Sequence, residues 1–78
     1  MFTSEKREIL NGQAIRLARL RLGLTQRELA ARCGIDPSNI NKAEHKNAGI
    51  GARKLPMLAK ALETTVDELL TISLQPAA

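Results

Sequence analysis

The chain contains no tryptophan, no tyrosine and a single phenylalanine, Phe2. Without aromatic rings a core has to be aliphatic, built from Leu, Ile, Ala and Val, and no aromatic wall is available to line a substrate pocket. Cysteine occurs once, at Cys33. A lone cysteine excludes an internal disulfide or a cysteine-based metal centre, and on the inward side of a helical pattern it reads as a small core residue. His45 is the only histidine, and no Asp or Cys stands at a spacing that would make it part of a triad or metal site. No apolar run approaches the ~18 residues of a membrane span. The start lacks the basic stretch and long apolar segment of a secretory signal. These absences predict a non-catalytic, cytoplasmic protein with no cofactor, no metal and no membrane association.

What is present points elsewhere. With 78 residues there is room for one domain and no second core. Abundant Leu and Ala, few β-branched residues and no alternating runs predict an all-α fold. A core this small makes help from dimerisation plausible. The net charge of +4 is unevenly spread: residues 1–24 carry +3, residues 25–62 carry +4, and residues 63–78 carry −3. A basic body with an acidic end suits a polyanionic partner.

The chain is organised around Gln26–His45, QRELAARCGIDPSNINKAEH. Two short helical patterns meet there across Gly34, which supplies the positive φ that a tight turn needs. Ala30 is small enough to sit where two steeply crossing helices touch. Ile40 and Ala43, three residues apart, form the inward face of the second helix. Thr25 and Glu28 form a capping box that opens the first helix. Asp36 caps the second, with Pro37 at its first position, where a missing N–H costs nothing. This is the helix-turn-helix pattern, whose second helix enters the DNA major groove. An αα-hairpin that touches no nucleic acid is the plain alternative.

Around this centre, residues 1–10 read as an N-terminal extension, 11–74 as the domain and 75–78 as a C-terminal tail. Thr3 or Ser4 is placed to cap a helix through Glu5–Leu10, which Asn11-Gly12 would weaken or break. Gln13–Leu22 is helical, with Ile15, Ala18 and Leu22 on one face and Leu10, Ala14 and Leu17 on a second stripe. Gly23 ends that helix. Gly49-Ile50-Gly51-Ala52-Arg53-Lys54 superficially matches a phosphate-cradling loop. No strand precedes it and no Lys-Ser/Thr pair closes it, so a basic loop skirting a phosphate backbone is the better reading. A fourth helix spans about Lys54–Leu62, with Pro56 in its first turn. Thr65 and Glu68 form a second capping box that predicts a fifth helix through Leu70.

The stretches GLTQRELAARCGIDPSNINKAE and LPMLAKALETTVDELL closely resemble the small Cro/repressor-type (XRE-like) DNA-binding domains of bacteria and their phages. The resemblance covers Asn11–Leu70. It implies a five-helix, lambda-repressor-like domain that binds double-stranded DNA as a homodimer and regulates transcription. It also implies that Arg19 and Glu44 form a partly buried ion pair. Leu17 departs from the family, which tends to be polar there, so it marks either cover from the extension or a partner surface.

Helix geometry leaves Pro37, Ser38, Asn41 and Lys42 on the exposed face of the second motif helix. In the family, positions matching Pro37, Ser38 and Lys42 commonly touch base edges. Lys42 suits guanine O6 or N7, Ser38 either base pair, Pro37 a thymine methyl, and Asn41 adenine or a phosphate. Gln26, at the positive end of the first motif helix, and Lys46, Asn47, Arg53 and Lys54 around the loop are the phosphate candidates. The plain alternative for each is a solvated surface residue. Family dimers usually pair around the fifth helix, which places Val66, Ile72 and Leu74 in the interface. The competing possibility is that Ile72 and Leu74 fold back on Leu10 and Leu17. Two other functions fit the same fold: an antitoxin that represses its own operon and binds a toxin or other regulatory protein, and a helical interaction module without DNA binding.

Overall fold

The computed structural model describes residues 4–76, with side chains described for residues 9–71. In chain order the elements are strand β1 (Ser4–Leu10), helices α1 (Gly12–Arg21), α2 (Gln26–Cys33) and α3 (Pro37–Lys46), a 3₁₀ turn at Ala52–Lys54, helix α4 (Leu55–Ala61), a second 3₁₀ turn at Asp67–Leu69, and strand β2 (Leu70–Pro76).

Each helix starts where a short polar side chain takes over an orphan amide, or where Pro removes one. The Asn11 side chain accepts from Ala14 N, 3.1 Å away, and opens α1. At α2 both halves of the capping box are made: Glu28 N donates to Thr25 Oγ1 and Thr25 N donates to Glu28 Oε1, each at 3.0 Å. These bonds hold the Glu28 carboxyl below its ordinary range. Asp36 Oδ1 accepts from Ser38 N at 2.9 Å and opens α3, with Pro37 at its start. Gly34 ends α2 at φ 65°, a left-handed conformation that an L side chain enters only with strain.

The helices pack into one aliphatic core. Ile15, Leu29, Cys33, Ile40 and Leu58 are fully enclosed, joined by Ala30, Ala43, Leu62 and Leu69. Truncating Leu29 or Ile40 to Ala would cost roughly 2–5 kcal/mol. Burial raises the Cys33 thiol pKa, which suits a core residue and disfavours the reactive thiolate. Ala30 on α2 and Ala43 on α3 are both almost without exposure, as expected of small residues on the inward faces of the two motif helices.

Two expectations fail at the chain ends. The stretch Glu5–Leu10 is strand, not helix, and the predicted fifth helix is one 3₁₀ turn that leads directly into β2. β1 and β2 pair antiparallel over seven positions, from Ser4 opposite Pro76 to Leu10 opposite Leu70. Among the described residues the fold is therefore four α-helices plus a two-stranded ribbon, without the expected fifth helix. The second capping box is only half made: Glu68 N donates to Thr65 Oγ1 at 3.3 Å, but the Glu68 carboxylate accepts from the Thr64 hydroxyl. Asn11 N donates to Leu69 O at 2.8 Å and clips the base of the ribbon to the helical body. Leu10 is buried at that base, whereas Leu17 of the second stripe stays 46% exposed. Among the described residues no helix is long and apolar enough to cross a membrane.

Candidate nucleic-acid interface

The exposed side of α3 is set by its buried side. With Ile40, Ala43 and Glu44 turned inward, Pro37, Ser38, Asn41 and Lys42 are all solvent-exposed. The four sit at i, i+1, i+4 and i+5, so they form one patch over the first two turns. Two of them are already engaged. The Ser38 hydroxyl donates to Asp36 Oδ1 at 2.8 Å, which leaves its oxygen to accept. The Asn41 amide donates to Gln26 Oε1 at 3.2 Å, leaving its own carbonyl and a second N–H outward.

That contact is the outer end of a polar chain reaching the core. Gln26 donates in turn to Glu44 Oε1 at 3.2 Å. Glu44 is gripped in fork geometry by Arg19, Nε to Oε2 at 2.7 Å and Nη2 to Oε1 at 3.0 Å. The third guanidinium nitrogen, Nη1, donates to Leu24 O at 2.8 Å. Arg19 and Glu44 are the two buried charged residues of the described chain, and the hydrogen bonds that Arg19 donates to Glu44 hold the guanidinium above its ordinary pKa. Two parallel N–H···O bonds satisfy the pair inside a low-dielectric interior, where either charge alone would be costly. The Arg19–Glu44 pair joins α1 to α3, and Gln26 brings in α2. The chain of bonds thereby fixes the Gln26 amide orientation beside the α3 patch.

The other cationic positions frame this patch. Lys46 is exposed at the end of α3, and Arg53 and Lys54 are exposed in the 3₁₀ turn before α4. The loop comes back onto α3: a side chain at Gly49 would stand 3.1 Å from Lys42 Cδ, so the Lys42 stem runs alongside the loop backbone. Asn47 is different. It adopts the left-handed conformation at φ 55° as the C-cap of α3, and its Oδ1 accepts from Gly12 N at 2.9 Å. Its carbonyl is thus occupied in joining α3 to α1. The asparagine immediately after a helical run is the signal for this cap. Among the predicted dimer residues Val66 is half-buried, and the side chains of Ile72 and Leu74 lie outside the described residues.

The Gln26–Asn41, Gln26–Glu44 and Asn47–Gly12 bonds escape sequence reasoning. Each joins residues far apart in the chain, and none has a local spacing rule.

The comparisons agree with this geometry. A family model described as Helix-turn-helix (HTH_3) matches residues 15–69. The chain belongs to the Cro/C1-type, XRE-like helix-turn-helix family of DNA-binding transcription regulators. Among solved structures it is similar to the restriction-modification controller protein C.AhdI from Aeromonas hydrophila, with 33% identity, a TM-score of 0.68, and 74% of this chain and 88% of that one covered. It is also similar to a hypothetical transcription factor, NHTF, from Neisseria, at 32% identity and TM-score 0.69, covering 77% of this chain and 69% of that one. A third similar structure is the biofilm master regulator SinR in complex with DNA, at 25% identity and TM-score 0.68, with 74% and 97% covered. No curated protein sequence matches the chain. This helix-turn-helix chain has its motif at α2–α3, and among the described residues no group of His, Cys, Asp or Glu is placed to hold a metal ion.

Proposed function

We propose that the chain is a sequence-specific, non-catalytic regulator that represses transcription by binding a pseudo-palindromic operator as a homodimer. Residues 11–74 act as the DNA-binding unit, and α3 lies in the major groove. Pro37, Ser38, Asn41 and Lys42 meet base edges; Gln26, Lys46, Arg53 and Lys54 meet phosphates, as does the remaining N–H of Asn47. The observation that carries this reading is the exposed α3 patch, held in place by the Arg19–Glu44–Gln26–Asn41 chain of bonds. Such a chain orients donors before DNA arrives, which lowers the ordering cost of binding. The similarity to a regulator solved with DNA supports the same reading. One chain carries one α3, so reading both halves of an inverted repeat requires two copies, about one DNA turn apart.

Gel shifts of the full chain against random duplex, at low and high salt, followed by binding-site selection, test the proposal. Binding should weaken steeply with salt, as counterion release requires, and selection should converge on an inverted repeat. Salt-independent binding, or selection that yields no consensus, would contradict it.

A further inference from the structure

Asn41 and Glu44 stand three residues apart on α3, so they share one side of that helix. Gln26 of α2 bridges them. Its Nε2 donates to Glu44 Oε1 and its Oε1 accepts from Asn41 Nδ2, both at 3.2 Å. Exposure rises along this line: the Glu44 side chain is 1% exposed, Gln26 is half-buried and Asn41 is exposed. The buried end is therefore the anchored one.

The anchor also fixes a direction. A side-chain amide has nearly the same shape turned end for end, so sterics alone do not orient it. A carboxylate held in a guanidinium fork has acceptors only, and whatever meets it must donate. Glu44 therefore takes the nitrogen end of Gln26, which leaves the oxygen end facing Asn41. That oxygen in turn takes the nitrogen end of Asn41. Turned the other way, Gln26 would set its carbonyl against the Glu44 carboxylate and both bonds would be lost. With the order observed, every buried side-chain N and O atom among the described residues has a partner. The charge at the core thus decides which atoms Asn41 has left. One N–H goes to Gln26; the carbonyl and one N–H remain for the groove. The second Nε2 N–H of Gln26 stays available to phosphate without disturbing this order.

Building on the operator reading above, we propose that Glu44, acting through Gln26, makes Asn41 a reader of adenine that excludes guanine. In the major groove adenine offers an acceptor at N7 and a donor at N6, which complement the remaining N–H and carbonyl of Asn41. Guanine offers acceptors at both N7 and O6, so the Asn41 carbonyl would face an acceptor there. An unrestrained asparagine is free to turn its NH2 outward and donate to guanine instead. The bond to Gln26 opposes that turn. Cytosine matches the carbonyl alone, and thymine matches the N–H alone. Glu44 and Gln26 are thus positioning residues for base choice.

Side-chain amide NMR relaxation of the free full chain, followed by binding-site selection on random duplex, tests this. The main variant is Gln26→Met, which keeps the length of the side chain and removes both bonds. In the wild type the Asn41 side-chain amide should move little more than the backbone on the ps–ns timescale. In Gln26→Met it should become as mobile as the amide of exposed Gln13, with the helical circular dichroism retained. Asn41→Ala marks the operator position concerned, as the one whose preference it relaxes. There the wild type should prefer adenine over guanine roughly tenfold or more. Gln26→Met should bring the two purines to within about threefold and leave the preferences at other positions unchanged. Glu44→Gln, whose own amide can meet either end of Gln26, should relax the same position. A Gln26→Met chain that binds every sequence more weakly but keeps its adenine preference would overturn the proposal, because Gln26 would then hold phosphate only. A base other than adenine at the Asn41 position would overturn it as well. A wild-type chain with the ordered amide that selects no duplex would refute the operator reading and the adenine assignment together.

Discussion

The helix-turn-helix and the ribbon are held by opposite kinds of interaction. From Thr25 to Asn47 the helix boundaries are set by bonds between near neighbours: Thr25 with Glu28, Asp36 with Ser38, and Gly34 in its left-handed turn. From Ser4 to Leu10 and Leu70 to Pro76 it is fixed by pairing between segments separated by the whole domain. Local signals leave a trace in spacing, and distant pairing leaves almost none. That is why helix boundaries around α2 and α3 were legible in the residues while both chain ends were misjudged.

The misjudged ends had different causes. Glu5–Leu10 has good helix formers, and its propensity was overridden by the tertiary pairing available to it. Leu70-Thr71-Ile72-Ser73-Leu74-Gln75 does carry a signal, strict alternation with two β-branched residues, which is a strand pattern. The half-formed cap at Thr65 and Glu68 masks it by suggesting a helix through Leu70, the residue where the strand begins. In the DNA-facing patch the outward positions followed from the 3.6-residue period and the inward Ile40 and Ala43. The hydrogen bond from Asn41 to Gln26 did not, because it spans two helices.

The contrast can be broken most severely at its deepest point. Arg19→Ala or Glu44→Ala strands a buried charge and should cost roughly 3–5 kcal/mol in thermal or denaturant unfolding. The double variant should be far less destabilised than the sum; additive costs would mean that the two side chains do not interact. Next comes the place where α1 touches α3. A Cβ at Gly12 would stand 2.5 Å from Glu44 O and closer still to Ala43 O, both backbone atoms that cannot swing aside. Gly12→Ala should therefore destabilise by about 1–3 kcal/mol or more, although Ala is the better helix former. A neutral or stabilising result would mean that α1 and α3 are further apart.

The local bonds should show smaller effects. Thr25→Ala removes a helix cap and should cost about 1 kcal/mol, seen as a lowered Tm. The same region predicts a pH dependence. The Glu28 carboxyl is held below its ordinary 4.5 by the backbone and hydroxyl hydrogen bonds of Thr25, and that of Asp36 below 3.8 by those of Ser38. Their stabilisation is complete above those ordinary values and is lost as pH falls through the lowered ones. Unfolding monitored from pH 6 to pH 2 should show that loss, with a shallower slope in Thr25→Ala. The least effect on folding belongs to the ribbon. A chain truncated after Thr71 should keep its helical circular dichroism with a small change in Tm while losing self-association; collapse of the helical signal would show that the ribbon supports the domain.

The central claim is that α3 reads bases while the loop after it holds phosphate, and Lys42→Ala beside Arg53→Ala tests it most directly. Both variants are titrated across salt on the selected operator and on random duplex. Lys42→Ala should lose roughly 1–3 kcal/mol on the operator alone and relax preference at one position per half-site. Arg53→Ala should weaken both duplexes alike and flatten the salt slope by about one unit. Equal weakening of every sequence by both variants would contradict the account.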